Sequence, residues 1–467
     1  MVTNSSDKST WLHLGAGAFH RAHQSWYLNQ LRDQGETSWS LTLANIRNSA
    51  TQQTLQQLAD QQGRYTLEII SPEGQMTYQP ITAIEQVILW DSGLKTLINV
   101  GADSATKIIS FTVTEGGYFL DDEGHLNTDD RAIQADLAEE DETSTLYGAL
   151  VKILRARMQQ NGGAVTLLNC DNLRNNGDSF YRGLLEFVSE KNDPDLLAWI
   201  KQHTSAPNSM VDRITPKFDE AIYSRLEQQG ITDDRVPLCC EAFSQWVIED
   251  NFIAGRPALE QVGVEFVDDV TPFEEAKIRI LNASHSGIAW AGSLLGYQYI
   301  DQSLTPQVQQ WIRDYVLQDV VPCLEPAQFN LAEYCDTTLN RFSNRWVRDT
   351  NQRVSSDSIA KLHEFIVPTL KARFQQHQQP DATLVLTALF FLFMQQRHQG
   401  KLAFDYQDRA IDSLSFEEIY NADDPLRAFA SSKKLFGSLA GKPEFIDRLA
   451  AVVEQVKQTI VAEEKTS

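Results

Sequence analysis

A lysine, an asparagine and a histidine lie close together in the segment EEAKIRILNASHSGIAW, residues 274–290. The segment contains no proline and has apolar residues at helical spacing, so it is predicted to form a helix. At about 100° per residue, four polar residues fall on one broad side of that helix: Glu274, Lys277, Asn282 and His285. Such a group suits the oxidation of an alcohol, because hydride leaves carbon only as the hydroxyl proton departs to a base.

Each residue type has one task in that chemistry. A lysine can act as the general base if burial or nearby cations lower its pKa. The amide of Asn282 suits a developing alkoxide, which needs donors already aimed at it, and His285 can orient the substrate oxygen. Taken singly, each residue is more often structural, since most lysines are surface groups. Their shared helix face favours a catalytic site, and the scheme requires no metal.

A glycine turn forms a second candidate site. The predicted strand WLHL, residues 11–14, runs into Gly15-Ala16-Gly17-Ala18-Phe19, and a helical pattern follows as far as Leu31. Two glycines allow the backbone to approach a pyrophosphate, and the start of the next helix offers free N–H groups. His20 stands where the general GxGxxG pattern has its third glycine, so the motif alone fits a ligand-free turn equally well. The flanking strand and helix favour a dinucleotide.

The ends of two further predicted strands bear on the same cofactor. WSLTLAN, residues 39–45, lacks the following acid that commonly binds a ribose 2′-hydroxyl. Asn48 could hydrogen-bond that hydroxyl, whereas Arg47 could accept a 2′-phosphate, so the residues leave NAD and NADP open. KIISFTV, residues 107–113, leads into Thr114 and Glu115, which occupy the strand end where open α/β sheets bind ligands.

The order of the elements predicts an α/β N-terminal part and a mostly helical C-terminal part. Strand, glycine turn, helix and strand begin a βαβ unit, whereas helical periodicity dominates beyond about residue 275. We therefore expect domains over 1–275 and 276–467. The acidic segment 121–145 is interpreted as solvated surface. The apolar run 382–394 is predicted to be a buried helix, because it is too short to cross a bilayer.

Composition narrows the classes of function. Among 467 residues, 40 are Lys or Arg and 63 are Asp or Glu, which gives a formal net charge of −23. This excess of acid argues against binding to nucleic acid or to anionic membranes, because both depend on clustered cations. The five cysteines and the polar N-terminal residues predict a reducing, cytoplasmic location without a disulfide framework or a secretory signal.

Six motifs over nearly the whole chain share their order and wording with one enzyme family: GAGAFHRAH (15–23), TEGGY (114–118), LLNCDN (167–172), MVDRITP (210–216), QWVIED (245–250) and KIRILNASH (277–285). They resemble the polyol-specific long-chain dehydrogenases, the mannitol dehydrogenase family. The resemblance implies a Rossmann-type N-terminal domain, a mostly α-helical C-terminal domain and an active site in the cleft between them. It also implies metal-independent interconversion of a polyol and a ketose with a nicotinamide cofactor, NAD being favoured, by a monomer.

The resemblance implies roles for five residues. Lys277 matches the general base of the family, and Asn172 and Asn282 match two asparagines that hold the reacting oxygen. His285 matches a histidine that orients the substrate. Glu274 matches a carboxylate that helps protons to pass between the lysine and bulk water.

Substrate contacts and substrate identity also follow from the resemblance. Asp212 belongs to a stretch near the site, and Arg353 and Lys361 are the candidates for a basic residue that contacts substrate. The branch of the family that acts on D-arabinitol looks closest in the segments HRAHQSWYLNQL, NIRN and FTVTEGGYFL. The expected substrate and product are therefore D-arabinitol and D-xylulose. The alternatives are mannitol–fructose oxidoreduction, a hexuronate reductase with an added cation for the substrate carboxylate, and a dinucleotide-binding sensor without catalysis.

Overall fold

The computed structural model describes residues 8–47, 51–121, 123–139, 142–411 and 416–464. The chain divides into two compact units, the first formed by Met1–Ser71 and Gln75–Thr271 and the second by Pro72–Gly74 and Pro272–Ser467. The boundary predicted from the sequence, 275/276, lies a few residues further on, inside a helix that begins at Thr271.

The strands of the described residues all belong to the first unit. In chain order they are β1 Ser9–Leu14, β2 Trp39–Ala44, β3 Tyr65–Ile70, β4 Met76–Ile81, β5 Ile84–Ile88, β6 Thr106–Phe111, β7 Val165–Asn169, β8 Thr204–Ser205, β9 Ser209–Asp212, β10 Leu238–Glu241, β11 Gln245–Glu249 and β12 Glu265–Val267. The α-helices between them are α1 Ala18–Ala22, α2 Gln24–Asp33, α3 Thr51–Asp60, α4 Lys95–Ala102, α5 Arg131–Leu137, α6 Leu146–Gln159, α7 Asn176–Glu190, α8 Pro194–His203 and α9 Ala221–Gln228.

A six-stranded sheet in the order β5-β2-β1-β6-β7-β8 forms the centre of this unit. Its neighbouring strands are all parallel. Successive residues face opposite sides, so that Trp11 and Ile108 join one hydrophobic core while Leu12 and Ile109 join another. Because both faces of the sheet are buried, its strands must be largely apolar along their whole length, as WLHL and VTLLN are. The strand order reverses beside β1, as in the Rossmann fold, which confirms the predicted fold class.

Two three-stranded sheets complete the first unit. One has the order β10-β3-β4 and the other β12-β11-β9. In the second, β9 and β11 are antiparallel, and Asp212 lies opposite Gln245. The motifs MVDRITP and QWVIED therefore begin on adjacent strands, although 28 residues lie between them in the sequence.

The described residues of the second unit form helices joined by loops and contain no named strand. Its helices are α10 Thr271–Ala276, α11 Ala283–Leu294, α12 Ile300–Ser303, α13 Pro306–Asp314, α14 Val321–Leu324, α15 Leu331–Phe342, α16 Asn351–Ser355, α17 Ser358–Lys361, α18 Val367–Gln375, α19 Asp381–His398, α20 Phe416–Asn421, α21 Pro425–Ala430, α22 Lys433–Phe436 and α23 Pro443–Glu464. Helix α19 contains the predicted apolar helix 382–394 and packs in the unit's core. None of the described helices is both long and apolar enough to span a membrane.

The helix predicted from Phe19 to Leu31 is wrong in one respect, since it is broken at His23 between α1 and α2. His23 has φ −121° and ψ −82°, outside the helical range. Its Nε2 lies 2.9 Å from the carbonyl oxygen of Gln245, and its ring packs against Trp246. These contacts come from a distant strand, so helical periodicity in the sequence does not contain them.

The acidic segment 121–145 is also less solvated than predicted. It contains α5, whose residue Asp136 is buried. The carboxylate of Asp136 accepts hydrogen bonds from the backbone N–H of Ser144 at 3.1 Å and of Thr145 at 2.8 Å. Thr145 in turn caps α6 by accepting from Gly148. These hydrogen bonds compensate for burying an acidic residue, which net charge alone does not reveal.

Candidate functional site

The two glycines of the turn after β1 have different structural causes. Gly15 has φ +110°, and a Cβ atom at this position would collide with the carbonyl oxygen of Thr112. Gly17 has φ −66°, and a Cβ atom there would meet nothing within 4 Å. The fold itself therefore requires glycine at 15. The open space at Gly17 instead leaves the backbone accessible to a ligand.

A pocket of about 300 Å³ lies at this turn, at the carboxyl ends of β1, β2 and β6. It is lined by Gly15, Ala16, Gly17, Asn45, Ile46, Arg47, Thr51, Thr112, Val113, Thr114, Gly117, Phe119, Ser144, Thr145 and Leu146. It includes five of the residues predicted to bind a cofactor: Gly15, Ala16, Gly17, Arg47 and Thr114. Three others, Ala18, Phe19 and Glu115, do not line it, and Asn48 lies outside the described residues. All of these assignments stay predictions.

Asn45 has a role in this pocket that the sequence analysis did not assign. Its side-chain oxygen accepts a hydrogen bond from the backbone N–H of Ala16 at 3.1 Å. Its side-chain nitrogen donates to the hydroxyl of Thr51 at 2.7 Å. Asn45 thus ties the glycine turn to the start of α3. Its position directly after β2, at the strand end next to the glycine turn, was the available signal.

A buried histidine pair supports the glycine turn from behind. The rings of His13 and His20 stack with their centroids 3.4 Å apart, and both side chains are fully buried. His13 contacts the hydroxyl of Thr112 through Nε2 at 3.1 Å. Burial lowers the pKa of His20 to about 3, and burial together with His20 lowers the pKa of His13. The space next to the turn that a third glycine would leave open is filled here by a neutral imidazole.

This pair makes stability depend on pH with a defined sign. Because the pKa of His20 is lower in the folded state than its ordinary value of 6.5, the unfolded chain binds more protons between those values. The stabilisation is therefore present above pH 6.5 and is lost as the pH falls towards 3. For His20 the loss by pH 4.5 is about 2–3 kcal/mol. The free energy of unfolding, measured with denaturant, should decline less from pH 7 to 4.5 in His20→Gln than in the wild type. Equal declines would contradict a role of His20 in the pH dependence.

The helix that carries Lys277 differs from the predicted α-helix. Residues Lys277–Asn282 form a π-helical segment between α10 and α11. A π turn closes between residues five apart, which places Lys277 and Asn282 one above the other. The uniform α geometry assumed from the sequence was therefore wrong here, since it sets these two residues about 140° apart. The angle between Lys277 and Asn282 around the helix axis is therefore smaller than an α-helix would give.

Burial distinguishes the acid and the lysine of this helix from ordinary surface groups. Lys277 is 6% exposed and Glu274 is 5% exposed. Lysine and glutamate are rarely buried to this degree unless they have partners or a function. Asn282 and His285 are partly buried. In the first unit, Asn172 is exposed at the carboxyl end of β7, and Asp212 is buried at the end of β9.

His285 lies among charged groups of the second unit. Its ring stacks on Phe342 with centroids 4.3 Å apart. Burial lowers the pKa of His285 to about 3, and Asp349 opposes this while Arg353 and Lys361 add to it. The imidazole is therefore neutral near pH 7, with one nitrogen to donate and one to accept a hydrogen bond. Both predicted basic residues are thus near enough to His285 to act on its charge.

The two basic residues have different surroundings. Arg353 forms an ion pair with Asp349 four residues earlier, and its Nε lies 2.5 Å from the carboxylate. Lys361 donates to the carbonyl oxygen of Val354 at 2.7 Å, and burial lowers its pKa. Which of them contacts a substrate stays a prediction. Among the described residues, no three His, Cys, Asp or Glu side chains form a group that could hold a metal ion.

Replacing His285 by alanine should lower kcat/KM for the substrate about tenfold, the usual effect of losing one hydrogen bond near 1.4 kcal/mol. Because the pKa of His285 is about 3, its ionisation should not contribute to the pH profile of the wild type above pH 5. The acidic limb of kcat/KM should consequently be the same in the variant and the wild type. A limb near pH 6.5 that vanishes in His285→Ala would contradict a neutral histidine.

Comparison with known proteins gives matches along nearly the whole chain. Residues 9–261 match the model of the mannitol dehydrogenase Rossmann domain, and residues 269–457 match that of the mannitol dehydrogenase C-terminal domain. The D-arabinitol 4-dehydrogenase of Klebsiella pneumoniae is 48% identical over 452 residues, which are 96% of this chain and 99% of that relative. The D-arabinitol 4-dehydrogenase of Ralstonia nicotianae is 47% identical over 444 residues, 94% and 95% of the two chains.

Two solved structures share the fold over almost the full length. The ternary complex of Pseudomonas fluorescens mannitol 2-dehydrogenase with NAD and D-mannitol has a TM-score of 0.82 and 32% identity, and the match covers 98% of this chain and 94% of that one. A D-sorbitol dehydrogenase in substrate-free form has a TM-score of 0.88 and 28% identity, with 98% and 97% covered. These matches confirm the resemblance indicated by the six motifs.

Proposed function

The chain belongs to the mannitol dehydrogenase family, and from this premise we propose that it interconverts D-arabinitol and D-xylulose with NAD. It is an NAD-dependent polyol dehydrogenase. The choice of D-arabinitol rests on one observation, the 48% identity to a D-arabinitol 4-dehydrogenase that extends over 99% of that relative. Mannitol is the second candidate, because a mannitol 2-dehydrogenase of Cereibacter sphaeroides is 34% identical over 81% of this chain.

The residues at the glycine turn fit a dinucleotide. The open space at Gly17 allows the backbone to approach a diphosphate, and the pocket lies at the sheet position where the strand order reverses. Arg47 and Asn45 lie at the end of β2, on the side where a Rossmann domain binds the adenosine ribose. When NAD is bound, its nicotinamide ring accepts the hydride in oxidation and returns it in reduction.

Lys277 is proposed to take the proton of the substrate hydroxyl. As the O–H bond breaks, its electron pair forms the second C–O bond, and the C–H pair leaves as hydride. Asn282, one π turn from Lys277, is proposed to donate to the oxygen as negative charge develops, and Asn172 is proposed to supply a second amide. Because amide donors stabilise this charge, the mechanism is proposed to be independent of metal.

Glu274 and His285 are proposed to assist that proton transfer. Glu274 lies one α-helical turn before Lys277 and is buried like it, so it is suited to pass the proton onward from the lysine. His285 is neutral near pH 7 and can hydrogen-bond a substrate hydroxyl. Asp212, Arg353 and Lys361 are retained as the proposed substrate contacts.

The substrate is tested by a screen of polyols and ketoses with both NAD and NADP. We expect the highest kcat/KM for D-arabinitol with NAD, and D-xylulose as the identified product. Faster turnover of mannitol and fructose would replace D-arabinitol by the second candidate, and turnover of hexuronates would indicate a reductase of that class. Binding of NADH without turnover of any of these compounds would contradict an enzymatic function.

The preference for NAD over NADP is tested at Arg47. This exposed residue lines the pocket beyond β2, where its charge would attract a 2′-phosphate. Arg47→Asp should lower kcat/KM with NADP by at least about tenfold, the value of one charge-assisted hydrogen bond. The value with NAD should change less, because a carboxylate can accept from the ribose 2′-hydroxyl. Equal losses with both cofactors would remove Arg47 from cofactor selection.

A monomeric state and a cytoplasmic location are proposed as well. The monomer follows the family resemblance, and analytical ultracentrifugation tests it. The cytoplasm is supported by the five cysteines, all of which are free thiols in the structure: Cys170, Cys239, Cys240, Cys323 and Cys335. Cell fractionation tests the location, and recovery outside the cytoplasm would contradict it.

A further inference from the structure

The loop after β6 has a strained backbone where it lines the dinucleotide pocket. Thr114 has φ +65° and ψ 163°. Only glycine commonly adopts this region, because a Cβ atom crowds the backbone there, and other residues remain in it only when their surroundings hold them. The next turn, Glu115–Tyr118, closes with a bond from the N–H of Gly117 to the carbonyl oxygen of Thr114 at 2.9 Å.

One carboxylate binds this loop at three points. Asp171 is buried, and its Oδ2 accepts from the backbone N–H of Val113 at 2.8 Å. Its Oδ1 accepts from the backbone N–H of Thr114 itself at 3.1 Å. The hydroxyl of Tyr118, at the far end of the turn, donates to Oδ2. Asp171 thus fixes the strained residue together with both of its flanks.

Asp171 also belongs to the turn that carries Asn172. Its backbone N–H donates to the side chain of Asn169 at 2.8 Å, and its carbonyl oxygen accepts from the side chain of Asn176 at 3.0 Å. Asn176 further donates to the carbonyl oxygen of Asn169 at 3.3 Å. The backbone of this turn is therefore fixed to β7 and α7, while the Asp171 side chain reaches the loop after β6.

We propose that Asp171 is a positioning residue that holds Thr114 in its strained conformation, and so shapes the NAD pocket, while linking it to the turn of Asn172. The part concerning Asn172 rests on the proposed function. Asp171 contacts no reacting atom, so its effect should be transmitted through Thr114 and Asn172. The strain arises from the Cβ atom of Thr114. A glycine at position 114 should therefore adopt the same backbone conformation without the hydrogen bond to Asp171.

The test measures NADH binding by fluorescence, kcat and KM with D-arabinitol, and the melting temperature of the cofactor-free protein. Asp171→Asn replaces an acceptor oxygen by an NH₂ group facing N–H donors. We expect at least about tenfold weaker NADH binding, a lower kcat at saturating NAD and a lower melting temperature. Adding Thr114→Gly should restore NADH binding at least about threefold relative to Asp171→Asn and raise the melting temperature.

Glu68→Gln is the matched control. Glu68 is also a buried carboxylate of the first unit and accepts from Arg225 at 2.8 and 2.7 Å, but it lies on β3, in another sheet. This variant should lose stability and keep its affinity for NADH. Unchanged NADH binding in Asp171→Asn, or a loss that Thr114→Gly does not relieve, would overturn the proposal.

Two further measurements keep the outcomes separate. If Asp171→Asn does not fold, Tyr118→Phe removes one of the three donors and should weaken NADH binding about threefold, again relieved by Thr114→Gly. Unchanged binding in Tyr118→Phe would then overturn the proposal. Because NADH binding does not depend on the polyol, an enzyme that binds NADH but oxidises no polyol would refute the proposed function while Asp171 is still tested.

Discussion

Replacing Lys277 by methionine is expected to lower kcat/KM for D-arabinitol by about 10²–10⁴-fold at pH 7, the usual contribution of a positioned base. Lys277 is 6% exposed, so the methionine must occupy an enclosed space, which its unbranched, flexible chain suits. The change therefore removes the amine and disturbs the packing little. Steady-state oxidation with NAD measures the effect, and NADH binding should stay within about twofold of the wild type.

Lys433→Met is the control for this variant. Lys433 is an exposed residue of the same unit, at the start of α22, and its replacement should leave kcat/KM unchanged. Melting temperatures of both variants separate chemistry from stability. Near-normal turnover of Lys277→Met at neutral pH would reject lysine as the base, whatever polyol proves to be the substrate.

The second large effect is expected at the glycine turn. Gly17→Val should raise KM for NAD by about 100-fold or more, because the valine side chain would fill the open space beside the backbone where the diphosphate is proposed to bind. The melting temperature should be nearly unchanged, because the side chain would collide with no protein atom. Gly15→Ala should impair both properties, since its Cβ atom collides with the carbonyl oxygen of Thr112 and its φ is +110°. Calorimetry and NADH titration measure the two properties separately.

A glycine away from the pocket provides the comparison. Gly230 has φ +75°, and a Cβ atom there would meet nothing within 4 Å. Gly230→Ala should therefore lower stability modestly through backbone strain and leave KM for NAD unchanged. If Gly17→Val binds NADH as the wild type does, the turn is not the diphosphate site, and the cofactor would have to bind elsewhere on the Rossmann domain.

Local sequence signals were sufficient for the elements that depend on a repeating pattern. The apolar run WLHL, the glycine pair and the strand WSLTLAN predicted β1, the turn and β2, because strands covered on both faces must be apolar throughout. The helical C-terminal part and the buried helix 382–394 followed from periodicity and length. The candidates Lys277, Glu274 and Asn282 were predicted from their spacing on one helix, and their roles stay predictions.

Features that depend on distant contacts could not be predicted in this way. The break at His23 requires the carbonyl of Gln245, and the burial of Asp136 requires donors at Ser144 and Thr145. The carboxylate of Asp171 contacts a loop more than 50 residues earlier in the chain. No local pattern encodes such pairs. The π segment was missed for a different reason, since its residues have the composition of an ordinary α-helix.

The π segment determines the angle around the helix axis that separates Lys277 from His285. A wide turn holds an extra residue compared with an α turn, so that loss of one residue between 277 and 282 could be absorbed by a return to ordinary pitch. The helix on either side would keep its direction, because Lys277 would then precede the asparagine by four residues, about 40° from it around an α-helix. The π turn thus allows one residue to be gained or lost at this point while the helices on both sides keep their packing.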